Sequence, residues 1–205
     1  MEAVRPDPVE YGVARFLRPG QNESGDEYVV RQSNNKALLA VVDGIGHGPE
    51  AAYAARVAIG VLEKSMEVNL SELIEICHRE LRTTRGAVLS VASLDLSAGV
   101  MSWLGIGNVQ AILLRTGGEK KSTRETLLLR PGVVGSQLPV LQPDMLQVSR
   151  GDMLFLATDG VRPEFREDLS SSELPQLAAT RLLNRFGRKD DDALVLVSRV
   201  APPAI

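Results

Sequence analysis

Residues 37–42, ALLAVV, form an apolar run that stops at Asp43 and a turn built mostly of glycine, Gly44-Ile45-Gly46-His47-Gly48. Its β-branched and aliphatic residues read as a buried strand. Pro49 follows where a first helical turn would begin, a position at which its missing N–H costs nothing. Residues 50–67 then carry a helical pattern dense in alanine. The polar positions Arg56, Gly60, Glu63, Lys64 and Glu67 recur at intervals of three and four, so one narrow stripe faces water. The chain therefore delivers one carboxylate from a buried strand into a turn whose glycines let a ligand approach the backbone, a place for a cation or a phosphate. By itself an Asp-Gly after a strand is more often only a turn.

The remaining composition narrows the classes. At 205 residues the chain is expected to form one domain over residues 1–200, with a loose tail at 201–205. Basic and acidic residues number 23 and 26, for a net charge of −3, and aromatics make up 4%. Neither value suits a nucleic-acid surface, an anionic membrane or a base-stacking platform. The single cysteine, Cys77, excludes an intramolecular disulfide and points to a reducing compartment. The N-terminal residues lack the apolar core of a signal peptide, and no run approaches a membrane span, so a cytoplasmic protein is expected.

In chain order, strands are expected at 11–18 and 27–32, joined by a polar turn, with the strand ending at Asp43 next. Such short links predict antiparallel neighbours. After the first helix, a second is predicted over 71–82 with Ser71 as its cap. Strands are then predicted at 87–94, 100–105, 109–115, 125–130, 146–149 and 153–157, with turn signals between them, including Thr116-Gly117-Gly118. A helical region over 171–186, capped by Ser171 or Ser172, and a last strand over 193–200 complete the list. Helices gathered in two blocks among meandering strands make an α+β fold.

Asp43 and Asp159 share one local setting, an apolar strand followed by Asp-Gly. Asp191 and Asp192 stand immediately before an apolar strand, and Asp26 precedes another. Acids at strand ends can converge at one edge of a sheet. Oxygen ligands without histidine or cysteine select Mg²⁺ or Mn²⁺ rather than Zn²⁺. Two such ions can activate a water for in-line attack on phosphorus and neutralise the phosphoryl oxygens.

Gly25-Asp26, Asp43-Gly44-Ile45-Gly46-His47-Gly48, Gly105-Ile106-Gly107-Asn108, Thr158-Asp159-Gly160 and Asp191-Asp192 occur in this order over nearly the whole chain. In this the sequence resembles the metal-dependent serine/threonine protein phosphatases of the PPM family, in their compact bacterial branch of sporulation and stress signalling. Small size and the lack of a sensor domain are similar to the branch's stressosome feedback phosphatase. The resemblance implies a four-layer αββα sandwich, two antiparallel sheets flanked by helices, with two Mn²⁺ or Mg²⁺ ions at one end. Carried over by position, Asp43 would bridge both ions and the Gly44 carbonyl would bind one. Asp159 and Asp191 would complete the other shell, and Asp26 would act through a water. Gly107 and Asn108 would shape a turn. His47 is either a proton donor or phosphate contact, or a turn residue capping the following helix.

Departures from the family pattern are Ala193-Leu194 after the acidic pair and no acid for a third metal. Asp190 leaves two registers, Asp190-Asp191 or Asp191-Asp192, of which strand length favours the second. Arg15 and Arg18 are the candidates for a phosphate-binding arginine, against a plain surface reading. The substrates implied are phosphorylated STAS-domain stressosome proteins, met by a monomer without nucleic acid or membrane. The alternatives are an inactive phosphoprotein-binding module of the same fold and a metallohydrolase of small phosphoesters. A cysteine phosphatase is excluded because Cys77 falls in a predicted helix and Thr83, not arginine, stands six residues on. His78 beside it reads as a helix-surface or core-edge residue.

Overall fold

The computed structural model describes residues 7–64, 68–116 and 122–201. Residues 202–205 of the expected 201–205 tail, Glu67, and the Gly117-Gly118 part of one expected turn lie outside the described residues. Two sheets stack face to face. The first runs β1 (Val9–Phe16), β11 (Ala193–Val200), β10 (Met153–Ala157), β6 (Gln110–Arg115), β7 (Thr123–Thr126). The second runs β2 (Asp26–Ser33), β3 (Lys36–Gly44), β4 (Ala87–Asp95), β5 (Val100–Ile106), β8 (Leu129–Arg130), with β9 (Asp144–Gln147) also paired to β5. Helices α1 (Pro49–Leu62) and α2 (Leu70–Leu81) cover the second sheet, and α3 (Pro175–Phe186) covers the first. This is the expected αββα sandwich. Among the described residues, no helix is long and apolar enough to cross a membrane.

Burial on both faces explains the unbroken apolar runs. Along β3, Leu39 and Val41 join the layer between the sheets, while Leu38, Ala40 and Val42 pack under the helices. Along β11, Leu194 and Leu196 face the other sheet, and Ala193, Val195 and Val197 meet α3. Helix α1 buries Ala51, Ala52, Ala54, Ala55, Ala58 and Leu62. The small alanine side chains bring its axis close to the sheet. Trp103 fills the middle of the sandwich and donates its Nε1–H to the Leu128 carbonyl at 3.2 Å.

Several boundaries differ from the sequence reading. β1 does not neighbour β2; it crosses to the other sheet and pairs with β11 along its full length. The stretch expected as one strand at 125–130 divides into β7 and β8, in different sheets. Asn69, not Ser71, caps α2 by accepting the Glu72 N–H at 3.0 Å. Neither Ser171 nor Ser172 caps α3, which begins at Pro175. The proline ring pre-sets φ for a first helical turn. A 3-10 turn, Pro163–Glu167, stands upstream of it.

Candidate metal centre

The β2–β3 hairpin sets Asp26 directly opposite Asp43. By strand alternation both lie on the face turned toward the other sheet, Asp43 with Leu39 and Val41, Asp26 with Tyr28 and Val30. Like charges in directly opposed positions are unfavourable. Asp159 and Asp191 come to the same end of the sandwich from the ends of β10 and β11. Asp26, Asp43, Asp159, Asp191 and Asp192 line one cavity of about 160 Å³, with Ile45, Gly46, Val88 and Asn108.

Glycine makes this convergence sterically possible at two points. A Cβ on Gly44 would stand 2.1 Å from the Ala51 carbonyl oxygen, so the end of β3 can slide beneath α1 only without a side chain. A Cβ on Gly160 would stand 1.8 Å from the Asp192 carbonyl oxygen. Each Asp-Gly step thus sets its aspartate at the cavity while its glycine packs against the backbone of another segment, α1 for Gly44 and the start of β11 for Gly160.

The carboxylates differ in what holds them. Asp26 is only 3% exposed, and its Oδ2 accepts the Thr158 hydroxyl at 2.7 Å, a hydrogen bond from one sheet to the other. Thr158 Oγ1 accepts in turn from the Leu194 N–H at 2.9 Å. Asp192 accepts two backbone donors, Arg18 N at 2.9 Å and Gly25 N at 2.8 Å, and so ties the β1–β2 connection to β11. Asp191 accepts the Asp192 N–H at 3.0 Å. Asp159 is exposed and accepts the Asn108 side-chain amide at 2.9 Å.

Burial raises the Asp43 carboxyl to about 9, and the charges of Asp26, Asp159, Asp191 and Asp192 push the same way. Asp26 is raised to about 7, first by burial, against the Thr158 hydrogen bond and with the help of Asp192, Asp159 and Asp191. Proton or cation must relieve this crowding. Among the described residues, no three acidic, histidine or cysteine side chains form a finished coordination shell; the carboxylates surround a cavity. The fit is to a hard cation that keeps part of its water, because the donors are carboxylate oxygens and the cavity between them leaves room for more than a bare ion. Mg²⁺ and Mn²⁺ meet that description.

The other expected residues fall as follows. Asp190 is exposed and does not line the cavity, which singles out Asp191-Asp192 as the pair at the site. Gly44 lies at the end of β3, its N–H donating to the Gly25 carbonyl at 2.9 Å, but it is not part of the cavity lining. His47 is exposed, stands outside the lining and does not cap α1, whose cap residue is Gly48. Arg15 pairs with Glu27 and lies over the Tyr28 ring, and Arg18 serves the site through its backbone N–H. Asn108, which by resemblance only shapes a turn, lines the cavity and holds Asp159. A turn-forming Gly-Asn pair gave no sign of this, since Asp159 lies 51 residues away. Gly107 does keep the packing role, with a positive φ and its N–H on the Arg130 carbonyl. Cys77 is buried and its thiol is pushed up to about 12, which removes a thiolate nucleophile. His78 accepts the Gly135 N–H at 3.0 Å as part of the fold.

This architecture, with acids gathered where two sheets open, is that of the PPM phosphatases. A model of the Stage II sporulation protein E (SpoIIE) family matches residues 33–201, and the chain belongs to that family. It is 22% identical over 186 residues to the phosphoserine phosphatase RsbX of Bacillus subtilis (strain 168), covering 90% of this chain and 92% of RsbX. A crystal structure of RsbX in complex with magnesium superposes with a TM-score of 0.83 at 19% identity, covering 98% of each chain. A chain from a structural description of the bacterial stressosome, as a modular system adapted to control secondary messenger signalling, superposes at 0.84 with 32% identity, over 93% of this chain and 99% of that one. The catalytic domain of the phosphatase PstP, in complex with two manganese ions, follows at 0.69 and 16% identity, over 96% and 100%.

Proposed function

We propose that this chain is a protein serine/threonine phosphatase that uses two Mn²⁺ or Mg²⁺ ions to hydrolyse phosphoserine or phosphothreonine on STAS-domain stressosome proteins. The observation that carries the activity is the cavity lined by five aspartates. Likeness to RsbX and to a stressosome-associated chain supports the substrate class. Removing phosphate there would oppose a kinase and reset a stress signal, in the cytoplasm.

When bound, two divalent ions supply an activated water and neutralise charge on the phosphoryl oxygens. Asp43 would hold both ions, with Asp159, Asp191 and the Gly44 carbonyl completing their shells and Asp26 acting through a water. The chain's own hydrogen bonds set up these donors. Asn108 aims Asp159, Thr158 fixes Asp26 across the sandwich, and Asp192 spends its oxygens on backbone N–H groups to fasten the Gly25-Asp26 segment. His47 stands outside the carboxylate lining and carries no proton in this scheme.

The size of the cavity favours a protein substrate over a small phosphoester. At about 160 Å³ it suits a phosphoryl group and lies below the roughly 300 Å³ at which pockets begin to enclose a whole small molecule. The test is hydrolysis of p-nitrophenyl phosphate and of a phosphorylated STAS-domain protein, each with EDTA, Mg²⁺ and Mn²⁺. Manganese-dependent loss of phosphate from both supports the reading. Activity on the small ester alone removes the substrate assignment, and a folded protein inactive with every metal removes the enzyme.

A further inference from the structure

The carboxylate cavity has a basic neighbour that local sequence pattern does not reveal. Arg85 sits in the α2–β4 connection, and its guanidinium lies across Gly46, one of the residues lining the cavity. A Cβ at Gly46 would come within 2.7 Å of Arg85 Nη1, so the absence of a side chain there opens the seat the guanidinium occupies.

The backbone that carries Arg85 is fixed on both sides. Thr84 Oγ1 donates to the Leu81 carbonyl at 2.8 Å and accepts the Gly86 N–H at 2.9 Å. The Gly86 carbonyl accepts from Ile45 N at 3.0 Å, which fastens the connection to the glycine turn itself. Ala87 and Val134 exchange backbone hydrogen bonds just beyond. The Arg85 side chain, by contrast, reaches out to solvent. It is 49% exposed and forms an ion pair with Glu50, whose own side chain is 67% exposed in the first turn of α1. An ion pair so open to water is worth little and exchanges readily.

Charge gives the position a purpose. Two divalent ions cannot balance five carboxylates together with a phosphoryl dianion. The carboxylates are drawn into one another's field, and the charges that raise Asp26 and Asp43 are those of other aspartates. Two arginines just after β10 are engaged elsewhere. Arg162 donates to the Arg185 and Phe186 carbonyls, and Arg166 donates to Gln110.

We infer that Arg85 is the phosphate-binding side chain of this site, held at the rim by Glu50 and transferring to a phosphoryl oxygen when a phosphorylated residue enters. Guanidinium and phosphate match in geometry, with two N–H groups available to two oxygens. The inference rests on the phosphatase reading for its substrate, but the binding of phosphate can be measured without turnover.

The experiment titrates the Mn²⁺-loaded protein with inorganic phosphate by calorimetry and, in parallel, measures KM, kcat and phosphate inhibition with p-nitrophenyl phosphate. Arg85→Gln should weaken phosphate binding and raise KM about tenfold to a hundredfold, as expected for lost hydrogen bonds to a charged group. Its melting temperature and Mn²⁺ affinity should match the parent protein. Arg85→Lys should recover part of the loss, and Glu50→Gln should tighten phosphate by freeing the guanidinium. Parent-like phosphate affinity and KM in Arg85→Gln would overturn the inference while leaving the phosphatase reading intact. A parent protein that binds phosphate through Arg85 yet hydrolyses nothing would do the reverse.

Discussion

Asp43 and Asp159 look alike in sequence, each closing an apolar strand and each followed by glycine, yet they occupy opposite physical situations. Asp43 is drawn into the gap between the sheets, opposed by Asp26 and pushed upward by burial. Asp159 stands in water and is aimed by a single neutral amide from Asn108. One carboxylate is costly to ionise without a cation, and the other lies open to solvent. The same strand–Asp–Gly phrase supplies a position, whereas the depth of that position in the sandwich decides how tightly charge is bound there.

The largest effect expected is on turnover, where the two should converge. Asp43→Asn and Asp159→Asn should each abolish Mn²⁺-dependent hydrolysis of p-nitrophenyl phosphate with the fold intact by circular dichroism. Near-parental rates at saturating Mn²⁺ in either variant would break the ligand assignment. Next comes Asn108→Ala, which leaves every carboxylate in place and removes only the group aiming Asp159. The loss in Mn²⁺ affinity should be about tenfold to a hundredfold, the range for groups that orient metal ligands. An unchanged Mn²⁺ activation curve would return Asn108 to a turn-forming role.

Thr158→Val tests the buried side of the comparison. It removes the donor to Asp26 and leaves the Leu194 N–H without its acceptor, at a cost of about 1–3 kcal/mol in urea unfolding. The smallest expected effect separates Asp43 from Asp159 by pH. The folded, metal-free protein holds protons on Asp43 and Asp26 that the unfolded chain releases above the ordinary value of 3.8. Its stability should therefore fall as pH rises from about 4 toward 9, the reverse of a salt-bridged carboxylate. In EDTA at pH 8, Asp43→Asn should raise the melting temperature by a few degrees, on a scale of about 2–4 °C per kcal/mol for a chain of this size. Asp159→Asn should raise it less, since it removes a charge but no desolvated group. Equal shifts would show that the two acids share one environment after all.

Much of this was legible beforehand where the signal was local. The turn after Asp43, the proline at the start of α1, the strand Met153–Ala157 and the final strand Ala193–Val200 are all set by near neighbours and by alternation or its absence. The errors also have local causes. A short polar link after β1 suggested a hairpin, but the link carries the chain between sheets and is fastened there by Asp192, far away in sequence. The continuous-looking segment before Pro131 hides a passage from one sheet to the other, which no periodicity records. Asn69 and Pro175 are local start signals that outcompete the nearby serines.

Sequence alone determined that carboxylates end several strands, that glycines follow two of them, and that the donors are hard oxygens suited to Mg²⁺ or Mn²⁺. Those facts depend on residue type and spacing over a few positions. Tertiary structure decided that Asp26 faces Asp43, that Asp192 is a fastener while Asp191 is left at the cavity, that Asn108 reaches Asp159, and that Arg85 rests on Gly46. Strand register sets Asp26 opposite Asp43 and Asn108 beside Asp159. The α2–β4 connection lies on the glycine turn, and sheet stacking brings Asp192 to Gly25. A few consecutive residues record none of these, because each depends on which segments of chain pack together.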